Sequence, residues 1–161
     1  MVLGMGDVLT QDSGLGIYAV RDLCQEGWPK EVMFLDKRHL EVNDVMHLLQ
    51  EQEFLLILDV LKAGSGPGTM YRLSIQDLIN KDYFHNDGKL WNSLFLSEIM
   101  GQKIKVVFLG LEPAKTNWEL NLSSHLQSVY QQYLESVRNE LRYMLGWDLE
   151  EQKTLQQAGI A

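Results

Sequence analysis

The amino-acid sequence predicts a three-layer α/β/α domain, with a largely parallel sheet of about five strands between helices on both faces. Two observations carry this expectation. A Gly-rich turn, Gly4 to Gly16, joins a short apolar run, Met1 to Leu3, to an amphipathic run, Ile17 to Leu23. Strand, turn and helix in that order open an α/β domain, whose chemistry lies in loops at the carboxyl ends of its strands. The second observation is Phe54-Leu55-Leu56-Ile57-Leu58, which is apolar without alternation. A strand of that kind is covered on both faces, as in the middle of a parallel sheet.

The remaining elements follow in order. The first helix ends near Gly27-Trp28-Pro29, because proline cannot continue it. Val32-Met33-Phe34-Leu35 reads as a short buried strand closed by Asp36, and Val42 to Gln50 as a helix capped at Asn43 or Asp44. After the strand that ends in Asp59, Gly64-Ser65-Gly66-Pro67-Gly68 is a loop, and Thr69 to Leu73 is a weaker strand at or near a sheet edge. Leu90, Leu94, Ile99 and Met100 space a helix that stops at Gly101, and Ile104 to Leu109 is the last strand. Ser124 with Gln127 has the spacing of a capping box. It opens a long helix marked by Leu126, Tyr133, Leu134, Val137 and Leu141 and ending at Gly146. The expected organisation is one domain over residues 1–146 and a C-terminal tail over 147–161.

Bulk properties narrow the function. A chain of 161 residues with 45% hydrophobic content can bury a proper core in one domain. The net charge of −8 argues against nucleic acid, whose phosphates attract lysine and arginine. The longest apolar run, Phe54 to Leu58, is too short to span a membrane. A lone Cys24 leaves no internal disulfide and no cysteine-rich zinc site. With no basic stretch and long apolar core after Met1, the expected location is cytoplasmic.

The Gly-rich turn is not a nucleotide motif. A dinucleotide fingerprint starting at Gly4 needs glycine where Leu9 stands, and no Gly-Lys-Ser/Thr occurs. The turn carries Asp7 and Asp12 instead, and carboxylates favour a cation or a polar substrate over a phosphate. Asp59 ends an apolar strand, as either a solvated or capping residue or a ligand at the sheet's carboxyl edge. His85 lies in the polar stretch Lys81 to Gly88, where a surface role and a ligand role are both open. His39, His47 and His125 read as ordinary surface or half-buried residues, and Trp28, Trp91, Trp118 and Trp147 as core or rim anchors.

These residues together resemble the hydrogenase maturation proteases. That family opens with Gly-x-Gly-Asn-x-Leu-x-x-Asp-acidic-Gly-x-Gly, and this chain has Gly4-Met5-Gly6-Asp7-Val8-Leu9-Thr10-Gln11-Asp12-Ser13-Gly14-Leu15-Gly16. His85-Asn86-Asp87-Gly88-Lys89-Leu90 is similar to the family's His-x-x-Gly-Leu segment, with Lys89 at the leucine position. Gly110-Leu111-Glu112-Pro113, Trp118 and Leu120-Asn121-Leu122-Ser123 match a third stretch, with Ser124 replacing a proline. The chain departs at Asp36-Lys37-Arg38-His39-Leu40, where the family carries Asp-Gly-Gly/Gly-Thr, and at Ser13, where the family has an acidic metal ligand.

The resemblance implies a phosphorylase/hydrolase-like version of the α/β/α architecture. It also implies an endopeptidase that removes the C-terminal extension of a nickel-iron hydrogenase large-subunit precursor after nickel insertion. Asp59 and His85 would be metal ligands and catalytic residues toward nickel carried by the substrate, with zinc or cadmium as surrogates. Asp12 has two expected roles. It replaces the ligand lost at Ser13, directly or through a water, or it holds the turn by accepting from nearby backbone amides. A non-catalytic protein on the same scaffold, binding a hydrogenase subunit without cutting it, is the alternative function.

Overall fold

The computed structural model describes residues 1–36, 49, 52–80 and 104–147. Their sheet has five strands: β1 (Val2–Gly4), β2 (Phe34–Asp36), β3 (Phe54–Val60), β4 (Met70–Ser74) and β5 (Lys105–Leu111). The spatial order is β2-β1-β3-β5-β4. All neighbours are parallel except β4, which runs antiparallel along β5 at the edge. This is the largely parallel sheet expected from the apolar run at Phe54.

β3 lies in the middle, and its alternation sorts the core into two layers. Leu56 and Leu58 join Val2, Val107 and Leu109 on one face. Leu55 and Ile57 join Leu3, Val106 and Phe108 on the other. The first face is covered by helices α1 (Leu15–Leu23) and, after the short α2 (Ile75–Asn80), α3 (Ser124–Met144). Helical spacing aims Leu126, Tyr133, Leu134, Val137 and Leu141 of α3 into that layer, all buried. Each such side chain contributes at most about 1.5–3 kcal/mol, since the unfolded chain already hides part of its apolar area. On the opposite face Leu49 and Leu78 of α2 are buried against the sheet.

Some details differ from expectation. Helix α2 was not foreseen; Ser74 and Asp77 nucleate it reciprocally. The Asp77 carboxylate accepts from the Ser74 amide and hydroxyl, while the Ser74 hydroxyl accepts from the Asp77 amide. The cap of α3 is Ser123 rather than Ser124, its Oγ accepting from the Leu126 amide. Gln127 reaches back to the Leu122 carbonyl, 2.6 Å away. In keeping with their reading as core or rim anchors, Trp147 stacks on Trp28 with ring centroids 5.9 Å apart. The helices expected over 42–50 and 90–100 lie outside the described residues, Leu49 excepted. Among the described residues, no helix is long and apolar enough to cross a membrane.

Candidate active site at the carboxyl edge of the sheet

The strand register brings the carboxyl ends of β2, β1 and β3 into line: Gly4 pairs with Asp36 on one side and Leu58 on the other. Two glycines let the first turn close tightly over this edge. A Cβ on Gly16 would overlap the Leu58 carbonyl oxygen, so α1 packs on β3 only through glycine. Gly6 has φ +99°, in the left-handed region, and a Cβ there would overlap the Ser13 carbonyl. The same Cβ would lie 3.3 Å from Oδ1 of Asp59. Asp59 therefore stands against the Gly-rich turn, half-buried, with the Val60 amide donating to its Oδ1 over 2.7 Å. Its charge reaches Tyr133 beneath it. Burial first, and then the Asp59 charge, push that phenol's pKa well up, so the hydroxyl stays protonated and donates to the Leu109 carbonyl.

Asp12 occupies a different position. It begins no strand end but sits in a 3₁₀ turn, Gln11–Gly14, with no exposed surface. Its Oδ2 accepts from the amides of Ala114 (2.9 Å) and Lys115 (2.8 Å) and from the Ser123 hydroxyl (2.9 Å). Its Oδ1 accepts from the Ser123 amide at 2.6 Å. These four donors tie the turn to the segment between β5 and α3. The turn does accept backbone amides, but from residues far along the chain rather than from its own neighbourhood. Ser13 contributes its carbonyl to the Asp7 amide, and the Asp7 carboxylate accepts from the Leu9 amide, closing the loop on itself.

Sequence reasoning gave Glu112 no role beyond marking the fold, and the structure gives it one. Buried at the end of β5, it accepts from the Tyr71 hydroxyl (2.6 Å) and from three successive amides, Ala63, Gly64 and Ser65. Successive amides turned toward one point form an anion nest. Burial alone would raise the Glu112 pKa, but these donors together outweigh it and hold the carboxyl below its ordinary value. Tyr71 is pushed the other way, by burial and by the Glu112 carboxylate. The readable signal was an acidic residue where an apolar strand meets proline. Glu112 thus shapes the 63–68 loop that leaves β3 just beyond Asp59.

Asp59 and Asp12 both lie at the carboxyl end of the sheet, beside one turn. His85 and the departure at residues 37–40 lie outside the described residues. Among the described residues, no group of three His, Cys, Asp or Glu side chains is placed to hold a metal ion. At the described edge, the half-buried carboxylate of Asp59 on β3 thus stands against a turn built on close backbone contact.

An α/β/α sheet with a Gly-rich turn and a carboxylate on the adjacent strand end defines a class, and comparison with known proteins names it. The model of the hydrogenase maturation protease family matches residues 17–140, and the chain belongs to that family. No curated protein sequence matches it. Its fold is similar to that of the hydrogenase maturating endopeptidase HybD from E. coli, with TM-score 0.77 and 24% identity over 89% of this chain and 91% of that one. An endopeptidase from Escherichia coli solved in solution is similar at TM-score 0.71 and 25% identity, over 89% of this chain and 93% of that one. The nickel-iron hydrogenase maturation protease HybD from Thermococcus kodakarensis follows at TM-score 0.65 and 20% identity, over 86% and 95%.

Proposed function

We propose that this protease removes the C-terminal extension of a nickel-iron hydrogenase large-subunit precursor, and that it does so once nickel is in place. Asp59 and His85 supply the oxygen and nitrogen donors that meet the nickel carried by the substrate, for which zinc or cadmium can substitute; carboxylate and imidazole suit such an ion. A metal so held acts as a Lewis acid on the scissile carbonyl or on a water. The cytoplasm is the proposed place of action, and neither nucleic acid nor membrane takes part. The observation that carries the proposal is Asp59 at the end of the central strand, against the Gly6 turn of a chain in this family.

For Asp12 we take a turn-holding role, toward remote amides rather than nearby ones. Full burial and four donors on two oxygens support a residue that holds the turn rather than one that meets the metal. Ser13 then leaves the site one carboxylate poorer than the family pattern. That supports the alternative of a hydrogenase-binding protein that does not cut. Incubating the protein with nickel-loaded precursor and weighing the products separates the two. Release of a C-terminal peptide is expected; intact precursor held in a lasting complex would establish the binding protein instead.

A further inference from the structure

The segment that crosses the Gly-rich turn carries side chains the proposed chemistry does not use. Trp118 is 82% exposed, Leu120 61% and Leu9 49%. Two backbone bonds place them together. The Glu119 amide donates to the Leu9 carbonyl at 3.1 Å, and the Gln11 amide donates to the Glu119 carbonyl at 2.8 Å. The resulting parallel bridge pairs Thr10 with Glu119, which sets Leu9 lateral to Trp118. The Gln11 side chain also donates to the Glu119 carboxylate at 2.9 Å. Left-handed φ values at Gln11 (+53°) and Asn121 (+70°) follow the bridge on both strands, a conformation that persists only where its surroundings hold it. Asp12 supplies that hold, fastening Ala114, Lys115 and Ser123 on either side of the exposed residues.

We infer that Asp12 is a positioning residue that locks the 114–123 segment onto the Gly-rich turn, so that Leu9, Trp118 and Leu120 form a rigid apolar ledge that grips an apolar stretch of the substrate polypeptide. The inference rests on the function proposed above, which makes the occupant a protein chain. Continuity selects that occupant: Leu9 lies three residues beyond Gly6 in the same turn, and a Cβ on Gly6 would lie 3.3 Å from Oδ1 of Asp59, so the ledge adjoins the proposed cleavage site. Exposed tryptophan on a fixed backbone is the kind of side chain that dominates protein interfaces, since little freedom remains to be lost on binding.

The test reads affinity for nickel-loaded large-subunit precursor, separately from its cleavage, in wild type, Trp118→Ala, Asp12→Asn and the double variant. Each single variant is expected to weaken binding about tenfold, as for a central interface residue. The double variant is expected to be no weaker than the worse single one, because both act through one ledge. Turnover at saturating precursor should stay within about threefold of wild type. Unchanged affinity in Trp118→Ala overturns the ledge, and strictly additive losses overturn the link to Asp12. Lost turnover at unchanged affinity in Asp12→Asn makes Asp12 a ligand and overturns its positioning role. Should Asp12→Asn not fold, Ser123→Ala replaces it, since it removes one of the same bonds; unchanged affinity there counts against the inference equally. Wild type that binds without cutting removes the proteolytic reading alone, while cutting with undiminished affinity in Trp118→Ala removes the ledge alone.

Discussion

Asp59 and Asp12 are both aspartates at the carboxyl edge of one sheet, yet their surroundings differ. Asp59 is half-buried against a glycine turn, whereas Asp12 is sealed from solvent among four donors. Asp59→Ala should therefore lower precursor cleavage by on the order of a hundredfold or more, as loss of a reacting group does, with little change in thermal midpoint. Ser13→Glu should restore a carboxylate beside Asp59 and tighten zinc binding by roughly tenfold, the scale of about 1.4 kcal/mol, by calorimetry. An unchanged zinc affinity would show that Ser13 does not face the ion. Glu112 offers a pH-dependent prediction. Its carboxyl is held below the ordinary value of 4.5, so its stabilisation is fully present above that pH and is lost as pH falls through the depressed folded value. Glu112→Gln should flatten the acid side of the stability curve below pH 4.5. At neutral pH it should cost about 1.5–3 kcal/mol, the scale of hydrogen bonds to a charged group. Denaturant melts across pH read both effects.

At the scale of elements, the cap of α3 and the tie to Asp12 meet in one residue. Ser123 accepts from Leu126 while donating to Asp12, so Ser123→Ala should lower stability by about 1–2 kcal/mol, a cap plus a buried bond, at unchanged denaturant slope. The parallel sheet was legible in the sequence because β3 is apolar on both faces, and the edge position of β4 because its run was weaker. Asp59's place at the sheet edge was legible for the same reason: it follows directly on that apolar run. What Asp12 touches was not. Its partners lie 102 to 111 residues away, and no local pattern encodes which remote amides a turn will meet. The same holds for Glu112, whose partners on the 63–65 amides sit 47 to 49 residues upstream. Helix α2 was missed for a smaller reason. Ser74 and Asp77 have capping-box spacing, with aspartate in place of the more common glutamate, directly after a strand.

Over the whole molecule, three loops converge on the carboxyl edge and each is fixed by a carboxylate: the Gly-rich turn and the 114–123 segment by Asp12, and the 63–65 loop by Glu112. Such loops hold a site ready-made, which suits the proposed inspection of a metal-loaded precursor before it is cut. In the proposed function, recognition through nickel on the substrate makes the metal the gate of the reaction. The most direct measurement is therefore the mass of the large-subunit precursor over time, with and without nickel, in the presence of wild type or Asp59→Ala. Wild type should release a C-terminal peptide from the nickel-loaded precursor only, and Asp59→Ala should leave both forms intact. Cleavage of nickel-free precursor at an equal rate, or full cleavage by Asp59→Ala, would contradict the proposed function.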